Sequence, residues 1–400
     1  MKISELKTDV VVVGAGSAGI AAAVAAAREG LSVALLEKNS FPGGRATASA
    51  VGTVCGLYLR SFKQKAKFVS EGFMKEFAER LQKRSSTMTQ SGANGLYYLP
   101  YNPFDFKTVC DELLAEAGVQ TYYHSTVFNA ETKAEKIISA EAFVYDRKIK
   151  FRADAFIDCS GEASLCYLAG DNTVEENEYQ ASAQVFTVEN IETSSPESLG
   201  LHIARELKRA VDNGNIHASL QWVSVVPGSL HEKSVMLKIG IPLSIGNTNN
   251  KATAVELTGR KSVNTIFDFL KNNMETFRNS HISFVAAEAG IRTGRRAKGK
   301  YTLTETDVMD CRKFDDGIAN GAWPVEFWGN DNKVKMDYFA EDDFYQIPAR
   351  CLMSEKFDNL FFAGKNSSAT EKAIASARVI GTCLQTGWAA GKLAADNCEL

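Results

Sequence analysis

The 400-residue sequence predicts an α/β fold, in which a discontinuous, Rossmann-like domain is built from both ends of the chain and a second domain is mixed α+β. Two observations support this prediction. Near the start, a run of valines is followed at once by the glycine-rich stretch GAGSAG and then by an alanine-rich helical pattern. Near the end, the short apolar stretch NLFFAG precedes another helical pattern rich in small residues. A strand, a glycine turn and a helix in direct succession are typical of a parallel sheet.

The first strand is predicted over Val10–Val13, because consecutive β-branched residues suit a strand that is buried on both faces of a parallel sheet. The glycines that follow have separate uses. Gly14 permits a tight turn, Gly16 lets a pyrophosphate approach the backbone, and Gly19 lets the next helix pack closely on the strand. The pattern therefore predicts a turn that binds the phosphates of a dinucleotide.

The next helix is predicted over Ser17–Arg28, with Gly30 just beyond its end as a cap. The stretch LSVALLE then forms the second strand, which ends at Glu37. Glu37 follows Gly14 by 23 residues, close to the spacing at which an acidic side chain meets a ribose hydroxyl. This half of the motif does not distinguish NAD from FAD.

A second glycine pair, Gly43 and Gly44, follows a few residues after Glu37 in the stretch NSFPGGRATAS. Here the sequence resembles the FAD-binding flavoproteins of the glutathione-reductase-like superfamily, whose first motif ends in such a pair. The disulfide reductases of that superfamily place two redox cysteines nearby, whereas this region contains Cys55 alone. The sequence also has no second strand–GxGxxG–helix unit, so neither disulfide exchange nor a built-in NAD(P)H domain is expected.

The far end of the chain resembles the second FAD motif of the same superfamily, in which a strand ending in Ala-Gly precedes a helix aimed at the flavin ring. We predict a strand over 360–363, a loop that opens at Gly364, and a helix over about 377–395 with Ser376 as its N-cap. The partial positive charge of a helix N-terminus suits the negative charge of reduced flavin. Glycines such as Gly387 would let this helix pack closely.

Two further stretches extend the resemblance. RADAFIDCSGEASLCYLAG is similar to the strand and glycine turn beside the FAD, and AGVQTYYHSTVFNAE looks like the strand whose turn residues, around Val127, touch the adenine. The resemblance implies FAD as cofactor. The implied FAD-binding residues are Gly14, Gly16, Ser17, Ala18, Gly19, Glu37, Lys38, Gly43, Gly44, Arg45, Ala46, Thr47, Val127, Cys159, Ser160, Gly161, Gly364, Lys365, Arg378, Val379 and Ile380.

The stretches GIRTGRRAKGKYTLTETDV and DFYQIPARCLMSEKFDNLFFAGK look like a subgroup of predicted FAD-dependent oxidoreductases. Arg292 and Arg295 are the candidate catalytic residues, because they could hold an anionic substrate group or the pyrimidine edge of the flavin. A solvated basic turn remains the alternative. The subgroup often has a histidine where this chain has Trp328, so a candidate proton-transfer group is missing; Trp328 could wall an apolar pocket or belong to the core.

We predict that residues 1–58, 102–174 and 344–400 form the FAD-binding domain, and residues 59–101 and 175–343 the substrate domain. A net charge of −3 gives no electrostatic reason to expect nucleic acid or an anionic membrane as partner. The apolar runs are shorter than a spanning helix requires, so we expect a cytoplasmic protein without a membrane segment. The eight cysteines include no CxxC pair and the five histidines show no ligand spacing, so no metal site is expected.

The leading functional hypothesis is an FAD-dependent oxidoreductase that transfers a hydride between a small organic molecule and flavin N5. Its electron acceptor, which could be oxygen, a quinone or another protein, stays open. The alternatives are a flavin-dependent monooxygenase or hydroxylase, and a flavin-bound, non-catalytic partner subunit. Cys55 could face the flavin or bond to it, but a buried, inert thiol is favoured.

Overall fold

The computed structural model of the chain describes residues 4–63, 65–176, 179–193, 196–245 and 250–398. The α-helices are Ser17–Arg28, Arg45–Ala48, Phe73–Ser85, Pro103–Glu116, Ser164–Leu168, Leu199–Asp212, Lys251–Asn273, Glu305–Met309, Glu371–Ala377 and Ile380–Cys398. Single 3-10 turns lie at Ala93–Gly95, Pro196–Ser198, Ala218–Leu220, Glu275–Phe277, Ala349–Cys351 and Gly364–Asn366. In the part of the chain described, no helix combines the length and the apolar character needed to cross a bilayer.

A five-stranded, all-parallel sheet lies at the centre of the predicted FAD-binding domain. Its strands run in the spatial order Leu360–Phe362, Ala155–Asp158, Val10–Val13, Val33–Leu36 and Gln120–Tyr122. The four valines of the central strand are fully or almost fully buried, because neighbours cover both faces of the sheet. The strand from the C-terminal end of the chain therefore joins a sheet that the N-terminal end begins, as the sequence predicts.

The remaining strands form smaller sheets. A four-stranded sheet on one side has the order Ser4–Lys7, Arg147–Arg152, Lys136–Val144 and Ser125–Lys133. The middle of the chain supplies another, in the order Val223–Val225, Ser234–Ile241, Ser182–Glu189 and His281–Val285. Three short strands pair as Thr53–Val54, Tyr97–Pro100 and Gln90–Ser91. Two-stranded pairs join Thr173–Val174 to Arg296–Ala297, Gly317–Gly321 to Tyr345–Pro348, and Val325–Trp328 to Val334–Asp337.

The first and last helices of the chain pack directly on each other over one face of the parallel sheet. Glycine makes this approach possible. A Cβ atom built on Gly387 would lie 2.0 Å from the carbonyl oxygen of Ala18, and one built on Gly391 would lie 2.4 Å from that of Ala22. The predicted close approach of the C-terminal helix is confirmed, and it fixes where that helix begins relative to the glycine turn.

The predicted N-cap of the last helix is wrong. Ser376 lies inside the short helix Glu371–Ala377, whose actual N-cap is Thr370. The helical conformation is interrupted at residues 378–379, and the long helix begins at Ile380. Ser376 is fully buried; its hydroxyl donates to the carbonyl oxygen of Trp323 and pairs with the hydroxyl of Tyr345 at 2.7 Å. A serine that resembles a cap in sequence thus satisfies a buried tertiary contact instead.

The structure also packs part of residues 59–101 on helices Pro103–Glu116 and Ile380–Cys398, which belong to the predicted FAD-binding domain. Helix Phe73–Ser85 contributes Phe73, Phe77 and Leu81 to the same core cluster as Val10. The Phe73 ring stacks on Trp388 of the last helix, with ring centroids 5.0 Å apart. The position of this helix differs from the one predicted, which was in the substrate domain, because its apolar face is buried by helices of the FAD-binding domain. The other proposed domain boundaries remain a prediction.

Candidate functional site

Four parallel strands end at one edge of the sheet, and the turns that follow them surround an elongated cleft, here called the glycine cleft. Ligands of open α/β sheets bind outside the carboxyl ends of the strands. The residues that line the glycine cleft are Gly14, Gly16, Ser17, Ala18, Glu37, Lys38, Asn39, Gly43, Gly44, Arg45, Ala46, Cys159, Ser160, Gly161, Glu162, Glu288, Ala363, Gly364, Lys365, Arg378, Ile380 and Cys383.

Bare backbone forms the floor of the glycine cleft. Gly14 has a φ of +96°, and a Cβ added there would lie 2.5 Å from the carbonyl oxygen of Cys159. Gly44 has a φ of +53°, and its added Cβ would lie 2.9 Å from the Cα of Gly16. Any larger side chain would therefore clash with backbone. A surface of this kind lets a phosphate group come close to peptide N–H groups.

Glu37 joins the glycine turn to the second strand. One of its carboxylate oxygens accepts a hydrogen bond from the amide of Ala15 at 2.7 Å, and the other accepts from the amide of Asn39 at 2.9 Å. Burial raises the pKa of Glu37, and these two hydrogen bonds oppose that shift. Carboxylate oxygens have further lone pairs, so Glu37 can accept from a ribose hydroxyl while it holds the turn.

Asp158 fixes the turn after the neighbouring strand. Its fully buried carboxylate accepts from the amide of Ser160 at 3.0 Å, from the hydroxyl of Ser160 at 2.6 Å and from the amide of Cys166 at 3.0 Å. The turn therefore presents Cys159, Ser160 and Gly161 to the glycine cleft in one arrangement.

At the far end, the glycine cleft opens into a second cavity of about 360 Å³, here called the inner cavity. Arg45, Ala46, Lys365, Arg378 and Ile380 line both spaces. The other residues that line the inner cavity are Ser49, Val51, Thr53, Cys55, Tyr98, Ala183, Val185, Val226, Pro227, Lys238, Gly290, Ile291, Arg292, Trp323, Glu326 and Val379. The N-terminus of helix Ile380–Cys398 lies at the junction, so its dipole adds positive charge there.

Two of the cations at the junction are paired with carboxylates. Lys365 forms an ion pair with Glu162 at 2.5 Å, and Arg45 forms one with Glu288. Arg378 differs from both, because no carboxylate among the described residues lies within ion-pair distance of it and its buried Nε has no hydrogen-bond partner there. One terminal nitrogen of Arg378 donates to the Gln180 side chain and to the Glu326 carbonyl oxygen, both at 3.2 Å, so Nε is the donor left for a ligand at the junction.

Glu326 is the carboxylate of the inner cavity, and two indoles hold it. Trp323 and Trp328 each donate a ring N–H to one of its oxygens at 2.7 Å. Burial by itself raises the pKa of Glu326, but the charge of Arg378 and the two indole hydrogen bonds outweigh that effect and lower it. Glu326 is therefore ionised at neutral pH and fixed in position, so it shapes the field of the cavity rather than shuttling a proton.

Cys55 lines the inner cavity as a neutral thiol. Burial raises the pKa of this thiol to about 12, and the nearby carboxylate of Glu326 contributes to the shift. A thiol with so high a pKa is a poor nucleophile at neutral pH. Cys55 is half-buried on the cavity wall, and its high pKa favours the inert interpretation over a reactive one.

Most of the residues implied by the resemblance come together in the glycine cleft. Four do not line it. Gly19 packs beneath the cleft, where an added Cβ would lie 1.8 Å from the carbonyl oxygen of Gly14. Thr47 donates to the carbonyl oxygen of Pro42 at 2.7 Å and so supports the second glycine turn. Val379 lines the inner cavity. Val127 packs against a core cluster on the other side of the sheet.

The two candidate catalytic arginines lie in different places. Arg292 lines the inner cavity. Arg295 lines none of the cavities described here; its guanidinium pairs with Glu175 at 2.6 Å and lies 4.1 Å from the ring centroid of Tyr167. The structure therefore does not bring Arg295 to the inner cavity with Arg292.

Sequence reasoning missed Lys238, Tyr98 and Glu288 as lining residues. Lys238 had a usable signal, since it is a lone lysine inside the otherwise apolar strand MLKIGI and alternates with buried positions. Glu288 and Tyr98 had none, because only the tertiary fold brings them to the site. Among the described residues no cluster of three or more histidine, cysteine or acidic side chains could hold a metal ion.

A family model identifies the family of this chain, and two solved structures share its fold. A family model described as FAD dependent oxidoreductase matches residues 9–398. A geranylgeranyl bacteriochlorophyll reductase-like protein from Thermoplasma acidophilum is similar in structure, with a TM-score of 0.51 and 14% identity over 99% of this chain and 80% of that one. A flavin-dependent brominase is similar with a TM-score of 0.51 and 13% identity over 98% of this chain and 80% of that one. A search of the curated proteins gives no significant match.

Proposed function

We propose that this chain, which belongs to the family of FAD dependent oxidoreductases, transfers a hydride between a small organic substrate and N5 of the flavin. One observation carries the proposal: the glycine cleft continues into the inner cavity through five shared residues. A dinucleotide that lies along the cleft points its far end at this junction. The inner cavity is then the space in which a substrate can lie beside it.

The residues of the glycine cleft fit FAD. The backbone around Gly14 and Gly44 leaves room for a pyrophosphate, and Glu37 is placed to accept from a ribose hydroxyl. At the junction, Arg378 has an unused donor and lies beside a helix N-terminus, which favours negative charge. Bound flavin supplies the hydride chemistry, and the protein supplies orientation and electrostatics.

The inner cavity suits a small substrate with an apolar body. Its volume of about 360 Å³ lies within the range of small-molecule sites, and Val51, Val185, Val226 and Ile291 provide apolar walls. None of the described residues that line it is a histidine. The contribution expected of the protein is therefore to position the substrate and exclude water, rather than to provide a histidine acid or base.

The cofactor site is tested by comparing Gly14→Ala with Gly118→Ala. Both glycines have positive φ, +96° and +74°, but an added Cβ meets backbone at Gly14 and open space at Gly118. We expect Gly14→Ala to purify with little or no FAD, and Gly118→Ala to keep a nearly full complement, measured from flavin absorbance per protein. Equal FAD content in the two variants would contradict the placement of the cofactor.

The reaction is tested by anaerobic screening of the FAD-loaded protein against small metabolites. A substrate is expected to bleach the blue-light absorption band of the flavin and to yield a dehydrogenated product. A hydroxylated product formed only with oxygen would replace the proposal with a monooxygenase. Failure of every compound to bleach the band, together with a co-purifying protein, would favour a non-catalytic subunit.

A further inference from the structure

We propose that the inner cavity selects substrates that carry a carboxylate, and that Arg292 and Lys238 bind this group. The inference rests on the proposed function in one respect: it takes the inner cavity to be the substrate site.

The cations around the site fall into two sets. Arg45, Lys365 and Arg378 line both the glycine cleft and the inner cavity, so they belong to the cofactor end. Arg292 and Lys238 line the inner cavity but not the glycine cleft. This second set therefore faces whatever occupies the inner cavity beyond the cofactor.

Neither member of the second set has an anionic partner. Among the described residues no carboxylate lies within ion-pair distance of Lys238 or Arg292, and the oxygens of Glu326 already accept from two indoles. With Arg378 included, three unpaired cations face one carboxylate, so the cavity has a positive excess. Burying an uncompensated charge is costly, and a ligand carboxylate would remove that cost.

Both cations lie near the indole ring of Trp328. The guanidinium carbon of Arg292 lies 4.3 Å from the centroid of this ring, and the Lys238 ammonium lies 5.6 Å from it. One nitrogen of Arg292 donates to the carbonyl oxygen of Ala181, which leaves other N–H donors of the planar group available. A guanidinium held in this way against an aromatic face is suited to a planar carboxylate.

The same two cations lie where a further cavity adjoins the inner one. A further cavity of about 390 Å³, here called the outer cavity, is lined by Trp222, Trp328 and Asn332 among others. It shares Ala183, Lys238 and Arg292 with the inner cavity. A carboxylate held at this shared boundary would contact both cations, while an apolar body attached to it would reach the apolar walls of the inner cavity.

Binding of benzoate and of uncharged benzamide to the FAD-loaded protein tests the proposal without requiring turnover. Flavin absorbance changes and calorimetry report binding at constant ionic strength. We expect saturable benzoate binding, and benzamide binding weaker by about tenfold or more. Arg292→Gln and Lys238→Gln should each weaken benzoate by about tenfold or more and leave benzamide nearly unchanged. Arg295→Gln, a matched arginine outside the cavities, should have no effect.

Three outcomes would overturn the carboxylate site: equal affinity for benzoate and benzamide, no detectable benzoate binding, or benzoate binding that Arg292→Gln leaves intact. FAD content is measured first in each variant, so a folding defect is recognised. The two proposals fail in different ways. If benzoate binds but no metabolite bleaches the flavin, hydride transfer is wrong and the carboxylate site stands. If uncharged metabolites bleach the flavin and benzoate does not bind, hydride transfer stands and the carboxylate site is wrong.

Discussion

At the scale of single residues, Lys238 is a side chain whose charge depends on the cavity around it. Burial lowers its pKa below the ordinary value of 10.5, and the charges of Arg292 and Arg378 lower it further. Glu326 and Cys55, which also face it, act in the opposite direction. The group therefore loses its proton at a lower pH than an exposed lysine does.

This shift predicts how carboxylate binding depends on pH. Binding requires protonated Lys238, so benzoate affinity should be highest below the pKa of this group and fall as pH rises through it, at a pH below 10.5. Benzoate itself stays ionised above about pH 6. The dissociation constant is measured between pH 6 and 10. Burial also lowers the pKa of Arg292 to about 9, so in Lys238→Gln the decline should become smaller, and the part that is left belongs to Arg292. Affinity that increases with pH would contradict the role of the lysine.

The thiol of Cys55 leads to a prediction about the cofactor. Because burial raises its pKa to about 12, it is protonated throughout the neutral range and should not attach to the flavin. Acid precipitation of the FAD-loaded protein is expected to release all of the flavin into the supernatant, as it should from Cys55→Ser. Flavin absorbance that stays with the washed pellet of the unmodified protein alone would show a covalent bond instead.

At the scale of elements, the contact between the first and last helices should be intolerant of added volume. A methyl group at Gly387 would lie 2.0 Å from the backbone oxygen of Ala18, which cannot rotate away. Gly387→Ala should therefore lower the free energy of unfolding by about 1–3 kcal/mol. Because Ala18 also lines the glycine cleft, FAD affinity should fall as well.

The control is another helical glycine that has space around it. An added Cβ at Gly200 meets nothing nearer than the Cγ2 of Val225, at 3.8 Å. Gly200→Ala is expected to raise the free energy of unfolding by up to about 1 kcal/mol, through helix propensity alone. Urea denaturation measures both variants. Equal effects of the two substitutions would mean that helix packing at Gly387 is not limiting.

The elements that the sequence predicted well are those specified by local chemistry. Val10–Val13 and Ser17–Arg28 have the predicted bounds, because buried β-branched residues, glycines and alanines each favour one conformation there. Ser376 was misassigned because its partners, Trp323 and Tyr345, are distant in sequence. The same limit applies to the site: the glycine turns are local, whereas the walls of the inner cavity come from segments that only the fold brings together.

At the scale of the whole molecule, one buried arginine ties the middle of the chain to its C-terminal part. Arg296, whose side chain is 1% exposed, pairs with Glu371 at 2.5 Å and with Glu176 at 2.6 Å, and it donates to the oxygen of Ala369 at 2.8 Å. Glu371 also accepts from the Thr293 hydroxyl at 2.9 Å. These contacts join the segment that leads into the inner cavity to the helix that precedes Ile380.

The two carboxylates should differ in their importance to the assembled protein. Glu371→Gln leaves the buried guanidinium with one carboxylate partner, so the free energy of unfolding should fall by about 3 kcal/mol. Glu176 is 37% exposed, so water can replace its carboxylate, and Glu176→Gln should cost about 1 kcal/mol or less. Urea denaturation of the FAD-loaded variants gives both values.

Because the Arg296 contacts connect the substrate-side and cofactor-side segments, Glu371→Gln should also weaken FAD binding, whereas Glu176→Gln should not. Similar losses in the two variants would show that Arg296 can exchange one carboxylate for the other, and that this junction does not depend on the buried one.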